Sequence, residues 1–317
     1  MQEAGIRVLI VDDSRFIARK LEELLSEDQA IRLVKKAYNG EEALDLLERF
    51  RPNCITLDVH MPGMNGLTVL KHIMIRCPTP TLMVSSYTSE GSWITFDALR
   101  YGAVDFYKKP SGDSPEALEA EKRVLCEKVK RASKVKVQAA RFIRLGHRRI
   151  QPDSWSGQAS SGHGRAFLFL GGTGGYASVL QLLSMANLHP QDKYYFFLDV
   201  PSSCLEGFSR YVGASYGLKA AYCHRGANLP KEVSATLIFF DEMDLLIDSL
   251  GAEELTVVAL SGEGVILERF LTRLGLEKGQ IIALDPGACL VPEMVEDLIS
   301  NGARAVSHQE LSRIIEG

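Results

Sequence analysis

Short apolar runs alternate with amphipathic stretches along almost the whole chain, and the alternation is interrupted once. Five apolar runs fall in residues 6–135: Ile6–Val11, Leu33–Ala37, Cys54–Leu57, Pro80–Ser85 and Ala103–Tyr107. Helical spacing fills the gaps. Phe16, Ile17, Leu21, Leu24 and Leu25 share one side of Ser14–Ser26, and Gly40–Phe50, Gly66–Arg76 and Glu90–Tyr101 follow. Asn65 is placed to cap Gly66–Arg76, because its side chain can accept from a free backbone N–H. Ser114-Pro115-Glu116 opens a long helix in the favoured order of cap, proline and acid. Strands that alternate with helices predict a parallel sheet covered on both faces.

The interruption lies at 136–164. Arg141, Arg144, Arg148 and Arg149 lead into Gln151-Pro-Asp-Ser-Trp-Ser-Gly and Ser160-Ser-Gly-His-Gly, the text of a flexible linker. From Arg165 the alternation resumes. Strands are predicted at Ala166–Leu170, Tyr194–Leu198, Thr236–Phe240, Leu255–Leu260 and Gln280–Leu284. Helices are predicted at Ala177–Met185, Leu205–Gly213, Val265–Leu274, Pro292–Asn301 and Gln309–Glu316. The reading is α/β, with two doubly wound parallel-sheet domains at 1–135 and 165–317 joined by a linker at 136–164. The 317 residues suit two domains.

Several function classes are disfavoured. No run of about 18 apolar residues predicts a transmembrane helix. Met1–Arg7 lacks the basic-then-apolar pattern of a signal peptide, so a cytoplasmic location is expected. Cys54, Cys77, Cys126, Cys204, Cys223 and Cys289 form no CxxC pair, so reduced thiols are expected rather than zinc or disulfides. A net charge of −4 does not point to nucleic acid or an anionic membrane.

Open parallel sheets place their sites at the carboxyl ends of the strands. Four such ends in the first block carry matching chemistry: Asp12-Asp13, Asp58, Ser85 and Lys109-Pro110. Three clustered carboxylates repel, and a hard cation with oxygen ligands, such as Mg²⁺, relieves that repulsion. A metal there can screen a phosphoryl group for in-line attack by a carboxylate. A lysine balances the added negative charge, and a serine hydroxyl donates to a phosphoryl oxygen.

This constellation resembles the response-regulator receiver family over nearly all of 6–133, and Asp58-Val-His-Met-Pro-Gly-Met-Asn-Gly resembles that family's loop after the acceptor. The resemblance implies a flavodoxin-like (βα)5 fold, with Asp58 as phosphoacceptor and a partner histidine kinase as phosphodonor. It also implies Mg²⁺ held directly by Asp13, Asp58 and the backbone carbonyl of His60, with Asp12 acting through water. Ser85 and Lys109 would sense the phosphate, Phe106 would be an aromatic switch, and the Lys109–Pro110 bond would be cis.

The stretches Gly63-Met-Asn-Gly-Leu-Thr-Val-Leu-Lys-His-Ile-Met and Thr95-Phe-Asp-Ala-Leu-Arg-Tyr-Gly-Ala-Val-Asp-Phe look like one subfamily, the CheB chemotaxis methylesterases. So does the order receiver, linker, α/β domain. That subfamily carries Gly-Ala-Ser-Thr-Gly-Gly-Pro after a strand, with serine as nucleophile. Here Leu170-Gly171-Gly172-Thr173-Gly174-Gly175-Tyr176 puts Gly172 at the serine. Leu198-Asp199-Val200-Pro201 puts Asp199 where Gln-His-Met-Pro has its histidine, and Ser261-Gly262-Glu263-Gly264-Val265-Ile266 puts Ile266 at the aspartate. The tail Ala283-Leu-Asp-Pro-Gly-Ala-Cys-Leu-Val-Pro-Glu-Met also follows that subfamily. A Ser-His-Asp triad needs a hydroxyl, an imidazole and an orienting carboxylate, and none of the three positions supplies its group.

The expectation is therefore a methylesterase-like second domain that is catalytically silent and acts by binding a chemoreceptor or another signalling protein. Two alternatives stand beside it. One is an active protein-glutamate methylesterase or deamidase. The other is dinucleotide binding, since Gly172-Thr173-Gly174-Gly175-Tyr176-Ala177 fits G-x-G-x-x-G/A and Asp199 closes the next strand.

Overall fold

The computed structural model describes residues 5–85, 89–110, 114–135, 137, 164–172, 174–189, 192–198, 202–224, 236–240, 242–250, 255–261, 265–286, 289 and 293–316. The chain divides into two units, Met1–Arg144 and Leu145–Gly317. The linker expected at 136–164 lies outside the described residues apart from 137 and 164.

In the first unit β1 (Ile6–Val11), β2 (Ile31–Ala37), β3 (Cys54–Asp58), β4 (Thr81–Ser85) and β5 (Asp105–Lys108) form one parallel sheet. Its order is β2-β1-β3-β4-β5. β3 and β4 are buried at every residue, which suits continuous apolar runs in a sheet covered on both faces. Edge strand β2 keeps its middle residues in contact with solvent.

The connecting helices are α1 (Arg15–Ser26), α2 (Gly40–Phe50), α3 (Gly66–Arg76), α4 (Ser89–Arg100) and α5 (Pro115–Lys134). Local chemistry sets their starts. The side chains of Ser14, Asn39, Asn65 and Ser114 each accept a hydrogen bond from a first-turn backbone N–H. Pro115 occupies the first turn of α5, where a missing N–H costs nothing, and Glu116 follows. α1 buries Ala18, Leu21, Leu24 and Leu25, whereas Phe16 points to solvent.

The second unit has seven parallel strands, two more than the sequence predicts. They are β6 (Ala166–Gly171), β7 (Lys193–Leu198), β8 (Lys219–Cys223), β9 (Thr236–Phe240), β10 (Leu255–Ala259), β11 (Ile282–Leu284) and β12 (Arg304–Val306). Their order is β12-β11-β10-β6-β7-β9-β8. The unexpected pair are the two edges. β12 has three residues, and β8 is exposed or half-buried along most of its length. Neither carries an apolar run, because an edge strand needs only one covered side.

The helices here are α6 (Gly175–Met185), α7 (Ser202–Tyr216), α8 (Met243–Ser249), α9 (Val265–Leu274), α10 (Glu293–Ser300) and α11 (His308–Glu316). One sheet face is aromatic: Phe167 stacks on Tyr194, and Phe169 on Phe196, which continues to Phe239. Tyr176 of α6 and Phe208 of α7 close over it. Arg165 fastens the C-terminal helix. Its guanidinium pairs with buried Asp192 at 2.8 Å and donates to the carbonyls of Ile314 and Ile315 at 3.0 and 2.7 Å, capping the end of α11.

Candidate functional site

The strand order of the first unit reverses direction between β1 and β3, and this is where a parallel sheet opens a crevice at its carboxyl edge. Asp12 follows β1 and Asp58 ends β3, so the two carboxylates face one another across that crevice. Both are 1% exposed, whereas Asp13 reaches solvent. The three residues can each bring a carboxylate oxygen to within 4.8 Å of the others.

Lys109, just after β5, closes the group. Its Nζ lies 3.0 Å from Asp12 Oδ2 and 2.9 Å from Asp58 Oδ2. Its backbone N–H donates to the Ser85 carbonyl at 2.8 Å, so the end of β4 sets where Lys109 starts. Ser85 itself is buried at the last position of β4. The Ser14 N–H donates to Asp12 Oδ1 at 2.9 Å, and the His60 N–H reaches Asp58 Oδ1 at 3.3 Å. Phe106 lies buried in β5 against Phe96, with ring centroids 6.2 Å apart in an edge-on contact.

The electrostatics follow from burial. Desolvation raises the Asp12 carboxyl above its usual range, and Lys109 only partly offsets it. Asp58 is raised for the same reason, again against the pull of Lys109. For Lys109, burial works to lower the ammonium's pKa, but hydrogen bonds to Asp58 and Asp12 outweigh it and hold it above its ordinary value. One ammonium against three carboxylates leaves an excess of negative charge on an all-oxygen donor set. Such a set fits a hard divalent cation better than a thiophilic metal.

Two features of the site depart from the sequence reading. Gly66 opens α3 with its N–H donated to Val59 O, and a Cβ there would sit 2.0 Å from the Asp58 carbonyl oxygen. Only glycine permits this approach, which fixes the loop carrying His60. The signal was the glycine directly after the Asn65 cap. The second feature is the Lys109–Pro110 bond, expected to be cis. No cis peptide occurs among the described residues. The trans form is the intrinsic preference, by about 0.5–1 kcal/mol. Trans geometry already lets Lys109 meet Ser85, Asp12 and Asp58.

In the second unit the sheet reverses between β6 and β10. Gly172 lies there, buried, and its N–H donates to Ser261 O at 3.0 Å. The Gly175 N–H donates to Gly172 O at 2.8 Å, and Gly174 takes φ +82°. Asp199 lies outside the described residues. Ile266 is in the first turn of α9, and its side chain lies outside them as well. Among the described residues no helix is long and apolar enough to cross a membrane.

Residues 8–121 match the response regulator receiver domain. The protein-glutamate methylesterase/protein-glutamine glutaminase 2 of Pseudomonas fluorescens strain Pf0-1 is 50% identical over 125 residues, covering 39% of this chain and 33% of that protein. The corresponding enzyme of Methanococcus maripaludis is 47% identical over 133 residues, covering 42% and 36%. The chain thus matches about a third of the length of these relatives. The crystal structure of the response regulator domain of Thermotoga maritima CheB aligns with TM-score 0.38 and 41% identity, over 42% of this chain and 98% of that one. The first unit is therefore a receiver domain with CheB homology.

Proposed function

We propose that the chain is a chemotaxis-type response regulator of the cytoplasm, phosphorylated on Asp58 by a histidine kinase, whose phosphorylation controls a CheB-like second domain that binds rather than catalyses. The convergence of Asp12, Asp13 and Asp58 around the Lys109 ammonium carries this reading. Asp13, Asp58 and the His60 carbonyl would hold Mg²⁺ directly, and Asp12 through water. When bound, the ion supplies positive charge to the oxygens of the transferring phosphoryl group.

The chain's own residues do the rest. An Asp58 oxygen attacks phosphorus while the P–N bond to the kinase histidine breaks, and the imidazole keeps the electron pair and takes up a proton. Lys109 is already within 3.0 Å of both buried carboxylates, so its ammonium can move to the new phosphoryl oxygens without crossing solvent. The Ser85 hydroxyl, one strand over, donates to the same group.

For the second domain, Gly172 has no side chain to attack a methyl ester. Its N–H is also committed to Ser261 O rather than open to a substrate carbonyl. Both facts support a docking role, with a chemoreceptor or another signalling protein as partner. The same bond weakens the dinucleotide reading, because it takes up the N–H of the first glycine of that fingerprint.

The experiment has two arms. Acetyl phosphate with Mg²⁺ should add a single phosphoryl group by intact mass to wild type and none to Asp58→Ala. Equal labelling of the variant sinks the acceptor assignment. Methanol release from methylated receptor should stay at background with and without phosphodonor. Stimulated release would return the second domain to the enzymes.

A further inference from the structure

The first unit contains a buried ion pair away from the phosphorylation site that its proposed chemistry does not use. Asp105 opens β5 and is 6% exposed. One carboxylate oxygen accepts the Phe106 N–H at 2.8 Å, and the other pairs with Lys128 Nζ of α5. The same ammonium lies 5.9 Å from the Phe106 ring centroid. One cation therefore holds both the first acid and the second residue of β5.

β5 is an edge strand, hydrogen-bonded only to β4, so it has more freedom to shift than the strands inside the sheet. Its far end leads into Lys109, which holds Asp12 and Asp58. Beyond the sheet, β5 meets α5 through polar contacts at Lys128 and at the Tyr107 hydroxyl, which donates to Glu121 O at 3.2 Å. β5 thus leads into Lys109 at one end and is tied to α5 at the other.

We propose that the Lys128–Asp105 pair is the joint through which a change at Lys109 moves α5. This rests on Asp58 being the phosphoacceptor. The pair suits the task because it is buried. Separating a half-buried ammonium from an almost fully buried carboxylate leaves an unpaired charge out of water, so the helix follows the strand instead of the contact slipping. The contact of Lys122 with Glu27, between α5 and α1, has an acid 62% exposed and can slip in this way. Leu125 and Val129, both fully buried, make α5 respond as one rigid body on its inner face.

The test uses the full chain with acetyl phosphate and Mg²⁺. Intact mass reads labelling, and hydrogen exchange reads peptides of α5. In wild type, phosphorylation should change exchange in α5 by about fivefold or more, a shift in local opening that lies well within the span between fraying ends and global unfolding. Lys128→Met should label as fully as wild type but lose most of that change. Asp105→Asn should behave likewise, Lys128→Arg should restore the response, and Lys122→Met should leave it intact. An α5 response of wild-type size in fully labelled Lys128→Met overturns the joint alone. So does an α5 in labelled wild type that does not respond. Failure of the wild type to label overturns the acceptor reading, and the joint with it.

Discussion

Replacing Lys109 with methionine keeps most of the side chain's volume and removes the ammonium that pairs with both buried carboxylates of the acidic pocket. Asp12 and Asp58, each 1% exposed, would then face one another with no counter-charge. Removing one partner of a buried ion pair costs about 3–5 kcal/mol. Because Lys109 is 16% exposed and water can reach the pocket's mouth, the lower end, about 3 kcal/mol at pH 7, is expected. The pH dependence has a definite sign. Desolvation raises both carboxyls in the folded state, so the native protein binds protons that the unfolded chain does not. Their destabilising effect is full above the folded-state pKa. It fades as pH falls through that value, and is gone below the unfolded value near 3.8. Lys109→Met raises the folded-state values further, so its deficit should shrink on acidification. Saturating Mg²⁺ should also repair it, since a ligand at a hundred times its Kd contributes about 2.7 kcal/mol. Urea unfolding in a Trp155→Phe background lets Trp93 report the first unit alone, because the chain has two tryptophans. A variant as stable as wild type without metal at pH 7, or a deficit indifferent to both pH and Mg²⁺, would refute this electrostatic account.

Asn65→Ala removes the cap that accepts from the Thr68 N–H at 2.9 Å and should cost about 1 kcal/mol in the same unfolding assay, with an unchanged slope. Gly66→Ala forces a methyl toward the Asp58 carbonyl oxygen and displaces the loop bearing His60. Calorimetric titration should show Mg²⁺ binding weakened by about tenfold or more, and unaltered affinity would show that the close approach is not needed. Arg165→Met removes the cap on Ile314 and Ile315. Amide exchange should accelerate most in α11, and also at the starts of β6 and β7, where buried Asp192 loses its cation.

The first unit was legible because its elements carry their own punctuation. Continuous apolar runs marked β1, β3 and β4, and Ser14, Asn65 and Ser114 marked helix starts within a residue. Asp12, Asp58, Ser85 and Lys109 were legible as a group because each sits at a strand's carboxyl end, and parallel topology brings such ends together. What the sequence withheld was relational. The Asp105–Lys128 pair spans 23 residues and shows no local pattern. β8 and β12 lack apolar runs because they are edges, and α8 is only seven residues long, too short for a helical period to stand out. In the second unit Gly172 follows β6, but its bond to Ser261 depends on β10 lying beside β6, which no local spacing records.

The central claim is that Asp58, of the three clustered acids, becomes the acyl phosphate. Borohydride reduces an aspartyl phosphate to homoserine, which tandem mass spectrometry locates within a peptide. After treatment with acetyl phosphate and Mg²⁺, homoserine should appear at position 58 alone, and omission of Mg²⁺ should abolish it. Homoserine at position 12 or 13, or unlabelled protein under both conditions, would contradict the account.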